Sequence, residues 1–315
     1  MVGCDAMKKA ALIFNPVSGK KSFEPYIDIV KERLEHKGFT CNVYKTEYEN
    51  HATEITKEIS ILHDLLIVAG GDGTFHEVLN GLMEIDNAPP VGYIPSGTTN
   101  DIGLSLGLSK NALKTLDIIL KQTIVNMDVV KTNFGYFTYV SGIGKYIDIS
   151  YKTSQKLKHI FGHLAYIFTG IKEFFISTKF KGDITFNGSV LSDTYVLLLL
   201  INSKKVAGFN MIKKPILDDG LIDVIMYRHI PFFNNIRFLF SFVFGIKKLP
   251  GVKHLSVKEM TVKISKKRQW NQDGELVGSG DQKIAVLPKA LKIIINPKHL
   301  HLFLNQSKDH YEKII

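Results

Sequence analysis

The chain has 315 residues, of which 45% are apolar and 22% are charged, and it contains two cysteines. This composition excludes wholesale disorder, and the length predicts two domains. Cys4 and Cys41 cannot form a disulfide framework or a four-cysteine zinc site, so we expect a reducing, cytoplasmic setting. No apolar stretch reaches the ~18–20 residues of a spanning helix and no signal peptide is visible, which predicts at most a peripheral association with a membrane.

Charge is distributed unequally along the chain. Residues 1–130 carry 12 Lys and Arg against 17 Asp and Glu, a balance of −5, whereas residues 131–315 carry 28 against 13, a balance of +15. A cationic half is typical either of plain solubility or of attraction to an anionic membrane surface. The phenylalanine-rich segment 231–248 indicates either a bilayer contact or a buried helix. No RNA-binding motif flanks the basic run Lys263–Arg268, so we expect no nucleic-acid partner.

The first 130 residues alternate short β-branched runs with amphipathic helical segments. This order predicts a parallel sheet with helices on both faces, whose ligands bind at the carboxyl ends of the strands. The predicted strands are Ala10–Phe14, Cys41–Tyr44, Leu65–Ala69, Val91–Ile94 and Val125–Val130. The predicted helices are Tyr26–His36, Ala52–Leu62, Phe75–Met83 and Ala112–Lys121.

The second half becomes rich in strands after one long amphipathic segment, Tyr151–Ser177. Turn residues separate the strands, which predicts an antiparallel β-sandwich. We therefore expect an α/β domain over residues 1–130, joined by residues 297–315, and a β-sandwich domain over residues 131–296. The predicted strands are Ile184–Phe186, Thr194–Asn202, Leu221–Tyr227, Leu255–Ile264, Lys283–Leu287 and Leu291–Ile295.

Three glycine-containing loops follow predicted strands of the first half. They are Asn15–Lys20 (NPVSGK), Gly70–Thr74 (GGDGT) and Pro95–Asp101 (PSGTTND). Glycine lets the backbone approach a phosphate closely, and Ser, Thr and free N–H groups at a helix start supply its hydrogen bonds. A tight turn explains any one of these loops, whereas three at one sheet edge predict a polyphosphate site. The P-loop signature and the Gly-x-Gly-x-x-Gly dinucleotide signature are both absent.

In this order and at these spacings, the loops resemble the catalytic domain of the diacylglycerol kinase and sphingosine kinase superfamily. The chain is most similar to the soluble bacterial lipid kinases of that superfamily. Leu217–Val224 (LDDGLIDV) and Gln272–Glu275 (QDGE) extend the resemblance over nearly the whole chain. The resemblance implies an ATP- and Mg²⁺-dependent lipid kinase that phosphorylates a hydroxyl of a membrane lipid. It also implies diacylglycerol as the default acceptor, a homodimer as the usual assembly, ATP on the α/β domain and the lipid on the β-sandwich domain.

The same resemblance implies roles for individual residues. Glu275 matches the general base, with Asp273 as its rival or helper, and Asp72 matches a carboxylate that acts with Mg²⁺ beside the phosphates. Asp101 and Asp128 match further acidic members of that network. From the residues alone, Asp101 is also explained as a helix N-cap and Asp128 as a turn at a strand end. The positions that match the nucleotide site are Asn15, Pro16, Val17, Ser18, Gly19, Thr46, Gly70, Gly71, Asp72, Gly73, Thr74, Phe75, His76 and Thr98.

A second, non-catalytic Mg²⁺ site is implied around the Asp-Asp-Gly segment. Its ligands would be the carboxylate of Asp219 and the backbone carbonyls of Ile216 and Leu221, although Asp-Asp-Gly is also a common turn. Two alternative functions stay open. An NAD kinase would share the GGDGT loop, but residues 95–135 lack the Asn-Glu dipeptide expected there. A catalytically idle, membrane-bound regulator would keep the fold without turnover.

Overall fold

The computed structural model describes residues 7–19, 23–144, 179–203, 205–206, 209–210, 212, 215–230 and 250–304. The amphipathic segment Tyr151–Ser177 and the phenylalanine-rich segment 231–248 lie outside these residues. Among the helices of the described ranges, none combines the length and apolar character needed to cross a bilayer.

A four-stranded parallel sheet forms the first half. Its strands pair in the order β2-β1-β3-β4, and they are β1 (Lys8–Phe14), β2 (Phe39–Lys45), β3 (Leu65–Gly70) and β4 (Val91–Pro95). The helices that follow or connect them are α1 (Ile27–Glu35), α2 (His51–Ile59), α3 (Asp72–Leu82), α4 (Asp101–Ser105) and α5 (Ala112–Ile119). The predicted α/β fold is confirmed.

Helices cover both faces of this sheet because successive strand residues point in opposite directions. Leu12 of β1 lies in one core layer with Leu34 of α1 and Leu116 of α5. Ile13, the next residue, lies in the opposite layer with Ile55 of α2 and Val78 of α3. Burying a side chain of this size contributes about 1.5–3 kcal/mol, so these two layers hold the strand ends and their loops in place.

The second half consists mainly of antiparallel strands. From one edge inwards they pair in the order β16-β15-β7-β9-β8-β14, while β12 and β13 extend from β9. The remaining bounds are β5 (Ile124–Thr132), β6 (Gly135–Phe137), β7 (Val140–Gly144), β8 (Phe180–Phe186), β9 (Ser189–Ile201), β10 (Lys205–Val206), β11 (Phe209–Asn210), β12 (Ile222–Arg228), β13 (Val252–Val257), β14 (Glu259–Ile264), β15 (Gln269–Gln272), β16 (Glu275–Ser279) and β17 (Gln282–Ile294). The predicted antiparallel second half is confirmed.

One strand, β17, joins the two halves into a continuous sheet. It pairs in parallel with β4 through Ile293 and Val91, and it pairs antiparallel with both β5 and β14. The sequence predicted two strands here, but the structure has one strand with a bulge, where Lys289 has φ +56° and the register shifts between Leu287 and Leu291. β17 occupies the position beside β4, and β5 pairs antiparallel with β17. The prediction that β5 extends the parallel sheet is therefore wrong.

One further prediction differs from the structure. The predicted strand Leu255–Ile264 is two strands, β13 and β14, which pair with different partners. After β17 the chain forms a 3₁₀ helix, Pro297–Leu302, whose last residue lies with Phe303 in the core beside α2 and α3. Residues 305–315 lie outside the described part of the chain.

Candidate active site

The loops after β1, β3 and β4 meet at the carboxyl edge of the parallel sheet. The Asn15 side chain donates to Thr74 Oγ1 at 3.2 Å, and its Oδ1 accepts the N–H of Val17 at 3.0 Å. A Cβ at Gly71 would lie 3.3 Å from Ser18 Oγ. The first and second predicted segments therefore form one rim, which includes the half-buried Pro16 and the exposed Val17 and Gly19.

Glycine is required where the second and third loops touch. A Cβ at Gly97 would lie 2.7 Å from Gly71 Cα, so no larger residue fits without moving one loop. The backbone N–H of Ser96 donates to the Gly70 carbonyl at 2.8 Å, and the buried Tyr93 hydroxyl donates to the same carbonyl at 3.2 Å. The result is a narrow backbone-lined floor, as an approach to phosphate oxygens requires.

Asp72 begins α3 directly above this floor. Its Oδ2 accepts the N–H of Asp101 at 3.3 Å, whereas its Oδ1 is buried and makes no hydrogen bond. Burial, reinforced by the nearby Asp101 and Asp273 carboxylates, raises the pKa of Asp72 to about 7. An orphaned oxygen on such a carboxyl group fits a bound divalent cation, which would supply the missing partner and reverse the shift.

Asp101 begins the short helix α4, and the N-cap position belongs to Asn100, so the N-cap explanation of Asp101 is wrong. Asn100 has φ +57° and donates from Nδ2 to the Gly97 carbonyl at 2.6 Å, which shapes the loop. The carboxylate of Asp101 accepts the Tyr139 hydroxyl at 2.6 Å. Tyr139 precedes β7, so this contact joins the nucleotide-side loop to the second half.

The hairpin between β15 and β16 brings Asp273 to the same place. Asp273 has φ +51° and Gly274 has φ +101°, which is the left-handed backbone of a two-residue hairpin turn. The Asp273 side chain is fully buried. Its Oδ1 accepts the N–H groups of Tyr139 at 2.9 Å and Val140 at 3.0 Å, and its Oδ2 accepts that of Thr138 at 3.2 Å.

Glu275 follows the turn and lies against the first turn of α3. A Cβ at Gly73 would come within 2.7 Å of Glu275 Oε1, so the carboxylate lies beside the helix residue that follows Asp72. Burial, together with the Glu275 charge, raises the pKa of Glu77 on the same helix. Asp72, Asp101, Asp273 and Glu275 are therefore gathered in one acidic region at the junction of the two halves.

Four predicted nucleotide residues have contacts or exposure of other kinds. Phe75 is buried in the core and stacks obliquely on Tyr93 at 4.8 Å between ring centroids. The His76 ring contacts Asp273. Thr46 is buried after β2 and its N–H donates to Phe14, whereas Thr98 is exposed on the third loop, where its carbonyl accepts Lys110 Nζ at 3.0 Å.

Asp128 lies within β5, so the strand-end explanation is wrong. Its buried carboxylate accepts the N–H of Gly220 at 2.6 Å and that of Lys289 at 2.7 Å. Burial raises the pKa of Asp128, and the two amide hydrogen bonds oppose that effect. These contacts tie β5 to the Asp-Asp-Gly segment and to the β17 bulge.

A cavity of about 260 Å³ brings the three predicted ligands of the second metal site together. Ile216, Asp219 and Leu221 all line it, and Asp223 lines it too. Burial and the Asp128, Asp223 and Asp218 charges raise the pKa of Asp219, which fits a cation there. Within the described ranges no three His, Cys, Asp or Glu side chains form a metal cluster, so backbone carbonyls would complete such a site.

Comparison with known proteins decides the family. Residues 9–132 match the model described as the diacylglycerol kinase catalytic domain, and residues 147–295 match that of the YegS C-terminal NAD kinase beta sandwich-like domain. A diacylglycerol kinase of Staphylococcus carnosus (strain TM300) is 34% identical over 86% of this chain and 90% of its own length. The chain belongs to the diacylglycerol kinase family. As a member of this family, the chain is a lipid kinase. The activity of the family requires ATP and a divalent metal.

Other relatives agree with this assignment to the kinase family. A diacylglycerol kinase of Bacillus subtilis (strain 168) is 31% identical over 86% of this chain and 91% of its own length. The solved structure of a diacylglycerol kinase from Bacillus anthracis str. Sterne superimposes with a TM-score of 0.77 at 25% identity, covering 92% of this chain and 98% of that one. The predicted family and lipid kinase activity are confirmed, and the NAD kinase alternative gains no support.

Sequence reasoning missed three residues of this kinase site. Tyr139 and Asn80, whose side chain hydrogen-bonds the backbone N–H and carbonyl of Tyr136, lie outside every motif, and no periodicity distinguishes them. Asn100 lies inside the PSGTTND loop and has a left-handed backbone. Asn tolerates this conformation in turns, and that preference is the sequence signal that could have identified it. Each of the three links segments that are remote in sequence or orders a loop.

Proposed function

We propose that this chain transfers the γ-phosphoryl group of ATP, with Mg²⁺ as the metal, to a hydroxyl of diacylglycerol at a membrane surface. The observation that carries the proposal is the placement of Glu275 beside Gly73, at the start of the helix that follows the GGDGT loop. A base on the second half thereby faces the phosphate-binding edge of the first. The names of the relatives support diacylglycerol as the acceptor.

Glu275 is the better base of the two candidates. The oxygens of Asp273 already accept three backbone N–H groups, which occupy them and hold this carboxylate in the hairpin turn. Asp273 therefore positions the turn, and Glu275 takes the proton of the acceptor hydroxyl. That oxygen attacks the γ-phosphorus, the bond from phosphorus to the bridging oxygen of ADP breaks, and ADP leaves.

The remaining residues act by binding and orientation. The loops around Ser18, Gly71 and Gly97 would bind the phosphates through backbone N–H groups. The Asp72 and Asp101 carboxylates would hold Mg²⁺, which neutralises charge on the phosphates. Ile216, Asp219 and Leu221 would hold a second Mg²⁺ that organises the turn before β12. Asp128 supports that turn from β5.

The test uses γ-labelled ATP, Mg²⁺ and vesicles that contain one acceptor lipid at a time. The acceptors are diacylglycerol, monoacylglycerol, a sphingoid base, a polyprenol and phosphatidylglycerol. We expect label in diacylglycerol. We expect Glu275→Gln to lower kcat by about 10²–10⁴-fold, because general-base catalysis contributes that much, with ATP affinity unchanged.

The matched control is Glu84→Gln, which changes an exposed glutamate paired with Lys57 and should leave kcat unchanged. Label in another lipid would replace diacylglycerol as the acceptor. Full activity of Glu275→Gln would remove its assignment as the base. ATP binding without label in any lipid would favour the idle regulator.

A further inference from the structure

A hydrogen bond joins α3 directly to the hairpin turn that carries the proposed base. His76 Nδ1 lies 3.3 Å from Asp273 Oδ2, and the two residues are 197 positions apart in the sequence. Only 12% of the His76 side chain and none of the Asp273 side chain is exposed. His76 lies one turn after Asp72, so both face the same side of α3.

The carboxylate of Asp273 determines which ring nitrogen of His76 carries the proton. Both carboxylate oxygens accept backbone N–H groups, so the group acts as an acceptor and the ring nitrogen that faces it must donate. On the other side of the ring, Asn80 Nδ2 lies 3.3 Å from His76 Nε2, but it has only two hydrogens, and the nearer carbonyls of His76 at 2.9 Å and Tyr136 at 3.1 Å accept them. The proton that faces Asp273 therefore lies on Nδ1.

Nδ1–H therefore donates to the Asp273 carboxylate. The backbone N–H groups of Thr138, Tyr139 and Val140 hold the same carboxylate from the second half, whereas His76 holds it from α3. Glu275 lies two residues after Asp273 and beside Gly73, on the helix that carries His76. The hydrogen bond thus determines the distance between the turn and the helix.

From these contacts we infer that His76 is a positioning residue that acts through Asp273 to hold Glu275 against the phosphate-binding edge. The inference rests on the proposed function, in which Glu275 is the base. This role differs from the expectation that His76 contacts the nucleotide, because the His76 ring is hydrogen-bonded to Asp273. A misplacement of a base by about 1 Å is enough to slow a reaction strongly.

Three substitutions at position 76 distinguish the contribution of the Nδ1 donor from that of the rest of the imidazole ring. Asn carries an N–H donor where His carries Nδ1, so His76→Asn keeps the bond to Asp273. Gln carries its amide one carbon further along, at the reach of Nε2, so His76→Gln contacts the Asn80 side instead. His76→Ala removes the contact with Asp273 and the contact on the Asn80 side. All three leave the three backbone N–H groups on Asp273 in place, so we expect the turn to fold in each.

The experiment measures kcat, the KM for ATP and the thermal midpoint of each variant under the lipid kinase assay. We expect His76→Gln and His76→Ala to lose about tenfold or more in kcat at unchanged KM, and His76→Asn to stay within about threefold of the wild type. Equal losses in Asn and Gln variants would overturn the inference. So would a raised KM for ATP at unchanged kcat, which is the result of a direct nucleotide contact.

A second readout needs no activity. In wild-type protein labelled with ¹⁵N-histidine, nuclear magnetic resonance should show a proton on Nδ1 of His76, and Asp273→Asn should change that signal. A ring that carries its proton on Nε2 and none on Nδ1 would overturn the inference. If the wild type labels no lipid while the Nδ1 signal is present, the proposed function fails and the hydrogen bond stands.

Discussion

Asp72 combines burial, two carboxylate neighbours and one oxygen without a hydrogen-bond partner. Its pKa is raised to about 7, against about 4 in an unfolded chain. Between these values the folded state binds more protons than the unfolded state. The free energy of unfolding therefore falls as pH rises through that window, because each deprotonation leaves a poorly solvated charge.

We predict that the metal-free protein loses several degrees of thermal midpoint between about pH 4 and pH 7. Asp72→Asn should flatten this dependence, since the amide cannot ionise, whereas Asp117→Asn, at an exposed ion pair with Arg33, should not. Mg²⁺ should raise the wild-type midpoint at pH 7.5 more than that of Asp72→Asn. The measurement is a set of thermal scans in chelator and in Mg²⁺. A slope that Asp72→Asn shares with the wild type would contradict the prediction.

At the scale of single residues, sequence patterns predicted the positions that belong to compact motifs. Asn15, Asp72 and Glu275 each lie in a short segment whose residue types already point to phosphate or proton chemistry. The contact between His76 and Asp273 could not be predicted, because it joins segments 197 positions apart. Nothing in one segment indicates the register of the other.

Strand β5 illustrates how a single side chain orders several elements. Asp128 lies inside this strand, and its carboxylate accepts the N–H groups of Gly220 and Lys289. The carbonyl of Asp128 accepts the Asn202 side chain at 3.1 Å, and its N–H donates to Leu217 at 2.8 Å. Four contacts from one residue hold the Asp-Asp-Gly segment and the bulge of β17 in register.

We predict that Asp128→Asn lowers the free energy of unfolding by about 1–3 kcal/mol. An amide keeps one acceptor oxygen and turns an N–H₂ group toward a backbone N–H, which leaves buried donors unsatisfied. The measurement is urea unfolding. Asp117→Asn is the matched control, and its exposed ion pair predicts a loss below about 1 kcal/mol. Equal losses in the two variants would contradict the prediction.

At the scale of elements, periodicity predicted the five strands and four of the helices of the first half, with bounds that differ by a few residues. It failed where pairing determines an element. Lys289 has φ +56°, and the bulge around it interrupts the strand pattern, so the sequence predicted two strands where the structure has one. The short strands β6, β7, β15 and β16 were missed because three to five residues carry too little pattern.

Charge separates the two halves of the molecule. The first 130 residues have a balance of −5 and the remainder +15, so an anionic bilayer would attract the second half and repel the first. Basic residues near such a surface contribute about 1 kcal/mol each. The orientation that follows would turn the second half toward the lipid.

We predict that neutralising Arg237, Lys247 and Lys248 to Gln lowers partitioning onto anionic vesicles by at least about tenfold. Sedimentation with vesicles measures it at two salt concentrations, and salt should weaken the wild type more than the variant. The control neutralises three exposed lysines of the acidic half, Lys37, Lys114 and Lys121, and should change partitioning little. Unchanged partitioning of the first variant would contradict the prediction.

Strand β17 has a consequence for synthesis on the ribosome. The edge of β4 that pairs with Ile293 stays uncovered until residue 294 has emerged, although β1 to β4 have been translated long before. Exposed strand edges are templates for intermolecular pairing, and incompletely folded chains aggregate through them. The edge of β4 in the nascent α/β half therefore stays unpaired while more than half of the polypeptide is still being synthesised. Its protection during that interval would fall to chaperones.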